Sequence, residues 1–387
     1  MKIVFVNCYF NHHQKPFSDA MVALGADYSF LETMPMPEYR RALGYQELPK
    51  PEYVHSWLEE PARCEKLIDE ADTVLFSSAP EKLFRRCFGQ GKLLFRVTER
   101  PLKRQGEWQK FLPRLLRWRW RNPGREGIRL LSASAFAPSD YAKFGLFRGR
   151  AYRWGYFPHC NRQADTERLL AGKTPGSMLW AGRFLDWKHP DDALRAASWL
   201  RHQGYPVLLK MIGTGPMEKA LQEMREQLDL EGSVSFPGSM TPAEVRREMD
   251  KAELFLFTSD RREGWGAVLN EAMDSACAIV AGHAAGATPY LIRPGQNGLV
   301  YHSGDWEALA HCLKSLLDSR QSAAGLGREA RNTILTEWNA EYAARSLLAL
   351  AEALRSGTSA GLPASAGPCS KAEIIKEDWF YASENHS

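Results

Sequence analysis

Hydrophobic positions fall along this chain in short unbroken runs, separated by longer stretches with helical spacing. In the first half the runs are Lys2–Asn7, Asp27–Leu31, Thr73–Ser77, Leu93–Thr98 and Ile128–Ala133, with helical patterns such as Pro61–Glu70 and Glu81–Phe88 between them. In the second half they are Met178–Gly182, Val207–Ile212, Ser233–Phe236, Glu253–Thr258, Ala278–Ala281 and Gly298–Tyr301. Helical spacing covers Pro190–Gln203, Pro216–Leu228, Thr241–Lys251, Gly266–Ala276, Trp306–Ser319 and Ala323–Glu337. A short apolar run without polar alternation is a strand covered on both faces. Strands alternating with helices predict parallel sheets with helices on both sides. The fold class expected is α/β: two doubly wound, Rossmann-like domains facing across a cleft. Turn residues collect between Gly149 and Pro175, which predicts an N-terminal domain over 1–155 and a C-terminal domain over 156–337. A helix within 338–355 is expected to end the globular part, and the Gly-, Ser-, Ala- and Pro-rich stretch after it makes 356–387 a flexible linker and tail.

Length and composition agree with this picture. A chain of 387 residues suits two domains, and 44% hydrophobic with 25% charged residues is ordinary for a soluble globular enzyme. No apolar run approaches the ~18–20 residues needed to span a bilayer. The opening MKIVFVNCYFNHH reads as a first strand and lacks the pattern of a secretory leader. Seven scattered cysteines without a CxxC pair predict free thiols, no zinc site and a cytoplasmic setting.

Charge changes the picture locally. The net charge is only +4, yet Lys82 to Arg125 holds fourteen Lys and Arg against Glu99 and Glu107 alone. Such a surface attracts anions. Within it, KFLPRLLRWRWR places Lys110, Arg114, Arg117 and Arg121 on one helical face and Phe111, Leu112, Leu115, Leu116 and Trp118 on the other. Two readings stay open: a helix packed on its own domain, or contact with an anionic membrane through 110–125, on the inner face of the cell membrane. Nucleic acid is not expected as a partner, since no motif for it accompanies the charge.

The chemistry concentrates just after strands, where open parallel sheets bind ligands. In ELFLFTSDRREGWGAVLNEAMD a strand ends near Thr258, a polar loop follows, and a helix starts after Gly264, Trp265 and Gly266, with Ala267 at its head. A glycine-flanked helix start offers N–H groups and a positive dipole end to a diphosphate. Glu263 and Glu271 stand on either side of that turn, and a carboxylate can accept from two neighbouring sugar hydroxyls at once. After the strand ending at Gly182 come Arg183 and, five residues on, Lys188, two cations suited to a diphosphate. A third strand runs into Gly213-Thr214-Gly215, a tight turn that strand-to-helix packing explains equally well.

Together these motifs resemble the family 4 glycosyltransferases, retaining enzymes of the GT-B fold. The similarity lies in Gly182-Arg183 with Lys188, the turn at Gly213–Pro216, Phe236-Pro237-Gly238, and Glu263-Gly264-Trp265-Gly266 with Glu271, in that order over about 130 residues. The resemblance implies that Arg183 and Lys188 bind the donor diphosphate, that Glu271 binds the ribose, and that Glu263 contacts the transferred sugar beside its anomeric carbon. It also implies that the last helix, Ala340–Arg355, crosses back to the first domain. Gly213, Gly264, Trp265, Gly266 and Ala267 complete the expected donor-binding set. One departure is Pro289-Tyr290, where the family often has a glutamate after the proline. No DxD pair stands after a strand in the segments read closely, so neither a metal nor a cofactor beyond the nucleotide diphosphate sugar is expected.

The first half resembles the family less. His12 and His13 follow the first strand, and His13 is a candidate proton acceptor or phosphate partner, or a plain surface-loop residue. Glu99 and Arg100 follow GKLLFRVT; Glu99 is a candidate base or one half of a local ion pair, and Arg100 a candidate acceptor contact. The function expected is transfer of a sugar from a nucleotide diphosphate sugar to a hydroxyl of a glycan or lipid-linked acceptor. The alternatives are a nucleotide-sugar epimerase of the same fold and a non-catalytic donor-binding scaffold. A NAD-dependent dehydrogenase would need a GxGxxG after the first strand, which is missing.

Overall fold

The apolar runs become two parallel sheets in a computed structural model that describes residues 1–38, 40, 48–103, 111–358, 366–377 and 379–380. The chain divides into two units. The first comprises Met1–His159 and Glu337–Lys376, the second Cys160–Thr336 and Glu377–Ser387.

The first unit is built on seven strands: β1 (Lys2–Asn7), β2 (Asp27–Glu32), β3 (Val54–Ser56), β4 (Thr73–Phe76), β5 (Leu93–Thr98), β6 (Arg129–Ser132) and β7 (Ala151–Arg153). They lie in the order β3-β2-β1-β4-β5-β6-β7, every pair parallel. Val4 stands between Ser29 and Val74, and this register gathers Val4, Val6, Val74, Phe76, Leu94 and Leu130 into one core with Ile68, Phe84, Tyr141 and Phe144 of the flanking helices. β3 and β7 escape the reading because Val54-His55-Ser56 and Ala151-Tyr152-Arg153 are short and form no apolar run. The helix Ala340–Ser356 belongs to this unit: it packs on the helix Lys15–Ala23, and Arg355 reaches Asp72 at 2.9 Å.

The second unit has β8 (Thr174–Ala181), β9 (Leu208–Ile212), β10 (Val234–Gly238), β11 (Ala252–Phe257), β12 (Ala278–Gly282) and β13 (Leu299–Tyr301), in the order β10-β9-β8-β11-β12-β13 and again all parallel. β11 and β12 are buried along their whole length. Local signals place the helices. Pro242 sits in the first turn behind a capping box of Thr241 and Glu244, and Asp305 and Asn339 cap the helices that follow them. Each sheet reverses its direction of winding once, between β1 and β4 and between β8 and β11, and ligands of open α/β sheets bind at such points.

The stretch expected as flexible linker and tail is ordered in part. Arg153 donates to the Ser370 carbonyl, Cys369 to that of Arg153 and Ala372 to that of Ala151, at 2.8–3.0 Å, so residues 369–372 lie antiparallel along the edge of β7. Composition suggested flexibility, but the free backbone edge of a sheet recruits a partner regardless of composition. The tail from 381 lies outside the described residues. No helix among the described residues is long and apolar enough to cross a membrane.

Candidate functional site

The carboxyl ends of β8 and β11 are stitched together. The Trp180 indole donates to Thr258 Oγ1 at 2.9 Å, the Thr258 hydroxyl donates to the Lys188 carbonyl, and the Asp260 amide donates to the Trp187 carbonyl at 2.8 Å. These bonds fix the loop after β8, which carries Arg183 and Lys188, against the loop after β11, which carries Glu263. Lys188 Nζ pairs directly with Glu263 Oε2, and the Ser259 hydroxyl donates to the same oxygen at 3.3 Å. Arg183 is exposed, and its guanidinium has no hydrogen bond or ion pair among the described residues. A cation held at the end of a central strand with no protein partner is available to a ligand.

Gly266 opens the helix Ala267–Asp274. Its φ is +92°, and a Cβ there would lie 2.4 Å from Phe257 Cζ, so no other residue fits this turn without displacing the ring. One turn into that helix Glu271 is half-buried. Its carboxylate has no protein hydrogen bond among the described residues, and burial pushes it up to about 7, partly offset by the nearby Arg246 cation. A desolvated carboxylate without a donor is unstable unless a ligand hydroxyl supplies one.

Two expected donor residues act differently from the expectation. The Trp265 side chain is fully buried, its indole donating to Asn270 Oδ1 at 2.9 Å, so it anchors the turn and offers no face to a ligand. Gly213 lets two loops touch: with φ +142°, a Cβ would lie 1.8 Å from the Gly182 carbonyl oxygen. Gly264 is buried between Glu263 and Trp265, and Ala267 begins the helix.

Sequence reading missed a second layer around this loop. Asp260, half-buried, is held down to about 2 by hydrogen bonds from His189 and Arg262, which outweigh its desolvation. Glu377 pairs with Arg261 at 2.6 Å, and the Trp379 indole donates to the His283 carbonyl at 3.2 Å, bringing the end of the chain onto the loops after β11 and β12. Nothing in the sequence signals these last contacts, which join residues about a hundred positions apart. Among the described residues His189, Asp191 and Asp192 bring potential metal-ligand atoms within 4.8 Å of one another, but His189 already faces carboxylates of Asp260 and Asp192 as in an ion-pair cluster.

In the first unit the structure brings His13 and Glu99 into one chain of contacts at the carboxyl end of the sheet. The His12 and His13 rings lie 4.0 Å apart, His13 stacks on Tyr156 at 5.9 Å, and the Tyr156 hydroxyl donates to Glu99 Oε1 at 2.8 Å. Lys103 holds the other oxygen of Glu99 at 2.6 Å, which is the local ion pair left open above. Burial lowers His13 to about 3 and also lowers His12, so both rings are neutral near pH 7 and cannot act as cations toward a phosphate. Arg100 is a correction. It is buried against Asp140 at 3.1 and 3.2 Å over the Phe136 ring, an internal ion pair in place of an acceptor contact. The partner stands forty residues away and is invisible to a local reading.

Residues 161–333 match the family model of the glycosyl transferases group 1. The match lies wholly within the second unit and covers somewhat less than half of the chain. It contains every residue expected on the donor side, from Gly182 to Glu271. The chain is 30% identical over 185 residues to the amylovoran biosynthesis glycosyltransferase AmsK of Erwinia amylovora, covering 46% of this chain and 45% of that protein. It is 28% identical over 216 residues to a GDP-mannose-dependent phosphatidylinositol monomannoside mannosyltransferase of Mycolicibacterium smegmatis, covering 53% and 55%. The matches thus span about half the length of these relatives. Among solved structures, Anabaena HepE in complex with UDP shares the fold at a TM-score of 0.68 with 17% identity, covering 92% of this chain and all of that one. The matched segment therefore sits in a chain whose α/β fold is shared with the HepE structure.

Proposed function

We propose that the protein transfers a sugar from a nucleotide diphosphate sugar to a hydroxyl of a glycan or lipid-linked acceptor, with retention of the anomeric configuration, as a member of glycosyltransferase family 4. The observation that carries this reading is two groups unmet among the described residues near the β8–β11 switch point, the Arg183 guanidinium on the loop after β8 and the Glu271 carboxylate on the helix that follows β11, with the loops after β8 and β11 joined by the Lys188–Glu263 pair. Arg183, Lys188 and the start of the helix Ala267–Asp274 would carry the charge of the leaving diphosphate. Glu271 would accept from the ribose hydroxyls and Glu263 from the transferred sugar. The activated sugar is itself the substrate, so the reading calls for no cofactor and no metal. AmsK is named as a glycosyltransferase of amylovoran biosynthesis, which supports a setting in surface-glycan assembly on the cytoplasmic side of the membrane. The exposed Leu112, Leu116 and Trp120, one turn apart on a basic helix, support peripheral contact with an anionic membrane.

A thermal-shift screen of nucleoside diphosphates and their sugars tests the reading. A ligand at 100 times its dissociation constant should stabilise the protein by about 2.7 kcal/mol. Arg183→Ala should abolish most of that shift while leaving the unliganded midpoint within about a degree, since its side chain is exposed. Stabilisation that survives in the variant, or no stabilisation by any nucleoside diphosphate, would refute the site. Incubation with donor alone separates transferase from epimerase, because only an epimerase isomerises the sugar without an acceptor.

A further inference from the structure

The first unit holds a cavity of about 600 Å³ at the carboxyl ends of β4 and β5, lined among others by Ser77, Ser78, Arg96, Glu99, Lys103 and Arg121. Its charges do not balance. Lys103 is matched by Glu99, and Arg100, also in the lining, by Asp140. Arg96 and Arg121 share one carboxylate. Arg96 takes both oxygens of Glu81, at 3.1 and 3.0 Å, and gives its Nε to Asn122. Arg121 approaches Glu81 Oε1 at 3.2 Å, but off the hydrogen-bond line, and its buried Nε has no hydrogen bond among the described residues. Its guanidinium lies 5.2 Å from the centre of the Trp118 ring. Burial pulls the Arg121 pKa down despite Glu81, which marks a cation short of a counter-charge. The hydroxyls of Ser77 and Ser78, in the same wall, have no hydrogen bond among the described residues. A part-buried cation without a full partner beside two free hydroxyls is the donor set that an oxyanion satisfies.

We infer that this cavity binds an anionic group of the acceptor, a phosphate or carboxylate held by Arg121, Ser77 and Ser78. This rests on the reading of the chain as a transferase. Glu99, also in the cavity wall and already oriented by Tyr156 and Lys103, then stands where it can accept from an acceptor hydroxyl. One chemistry has two sources: the phosphate of a lipid carrier, or an acidic sugar of the growing glycan.

Isothermal titration of the full chain with farnesyl phosphate and with glucuronate, against farnesol and glucose as uncharged counterparts, tests the inference. Binding of either anion, with none of its neutral counterpart, is the expected result, and which of the two binds names the source. The affinity should fall at least tenfold in Arg121→Gln and severalfold in Ser77→Ala/Ser78→Ala, and stay unchanged in Arg183→Ala. Circular dichroism and nucleoside diphosphate binding by the two cavity variants show that they are folded and keep the donor site apart from this one. Absence of binding by both anions, or equal binding by wild type and Arg121→Gln, overturns the inference and leaves the donor assignment standing. Loss in Arg183→Ala alone would place the anion at the donor site and overturn it as well.

Discussion

At the scale of single residues, the sequence shows which side chains follow strands but not which of them are satisfied. Arg100 and Arg183 read alike, each a cation just past a strand; Arg100 is buried on Asp140, whereas Arg183 has no partner among the described residues. The difference is set by residues distant in sequence. Glu271 shows the same point with a measurable consequence. Its ordinary pKa is 4.5 and burial in the fold raises it to about 7. Between those values the folded chain keeps a proton that the unfolded chain has lost, so this group destabilises the fold progressively as pH rises from 4.5 to 7, and fully above that. Glu271→Gln should therefore raise the ligand-free stability at pH 8 by about 1–3 kcal/mol, with no gain at pH 4. The same variant should lose at least tenfold in affinity for the nucleotide sugar at pH 8, where the wild-type carboxylate is ionised and can accept from the sugar hydroxyls. Urea unfolding at the two pH values checks the first statement and titration the second. A variant less stable than wild type at pH 8 would mean that the carboxylate has a protein partner.

At the scale of elements, most strands were legible because parallel strands covered on both faces are apolar throughout, as in the Glu253–Phe257 run of β11 and in β12. β3 and β7 were not, since polar residues break their three-residue runs whereas the equally short β13 is apolar throughout, and neither was the segment at 369–372, whose order comes from the edge it covers. The glycine-rich turns were legible as turns, but their reasons differ from those the motif suggests. Gly213 and Gly266 are required chiefly by loop-to-loop and loop-to-ring contact. Gly204 supplies a control: it has φ +84° and open space around its Cβ. Gly204→Ala should cost only the backbone penalty of about 1 kcal/mol. Gly266→Ala adds the clash with Phe257 and should cost about 2–4 kcal/mol. Chemical denaturation of the two variants separates the terms, and equal costs would show that the turn yields without strain.

At the scale of the whole molecule, the distribution of charge matters more than its sum. The chain has fifty basic and forty-six acidic residues, yet 82–125 alone holds fourteen basic against two acidic. Lys110 and Glu107 lie outside the described residues, but the helix Phe111–Arg121 shows how the segment is used. Phe111, Leu115 and Trp118 turn inward onto the core of the first unit, with Trp118 edge-on to Tyr141 at 5.1 Å. The first sequence reading holds, since the helix packs on its own unit; it also leaves Leu112, Leu116 and Trp120 at 60%, 61% and 56% exposure, spaced four residues apart. Three large apolar side chains in a row are costly in water, and the surrounding arginines would keep them from a neutral oily partner. An anionic bilayer surface meets both demands, with apolar burial of about 25 cal/mol per Å² and about 1 kcal/mol for each arginine near the surface. The protein should therefore float with vesicles containing phosphatidylglycerol and not with phosphatidylcholine alone. Leu112→Glu/Leu116→Glu/Trp120→Glu should abolish flotation at any ionic strength, while 0.5 M salt should weaken that of the wild type, because the electrostatic part is screened within a few ångströms there. Flotation that persists in the triple variant would move the contact to another face of the molecule, and flotation indifferent to both lipid charge and salt would show that the basic segment has no part in it.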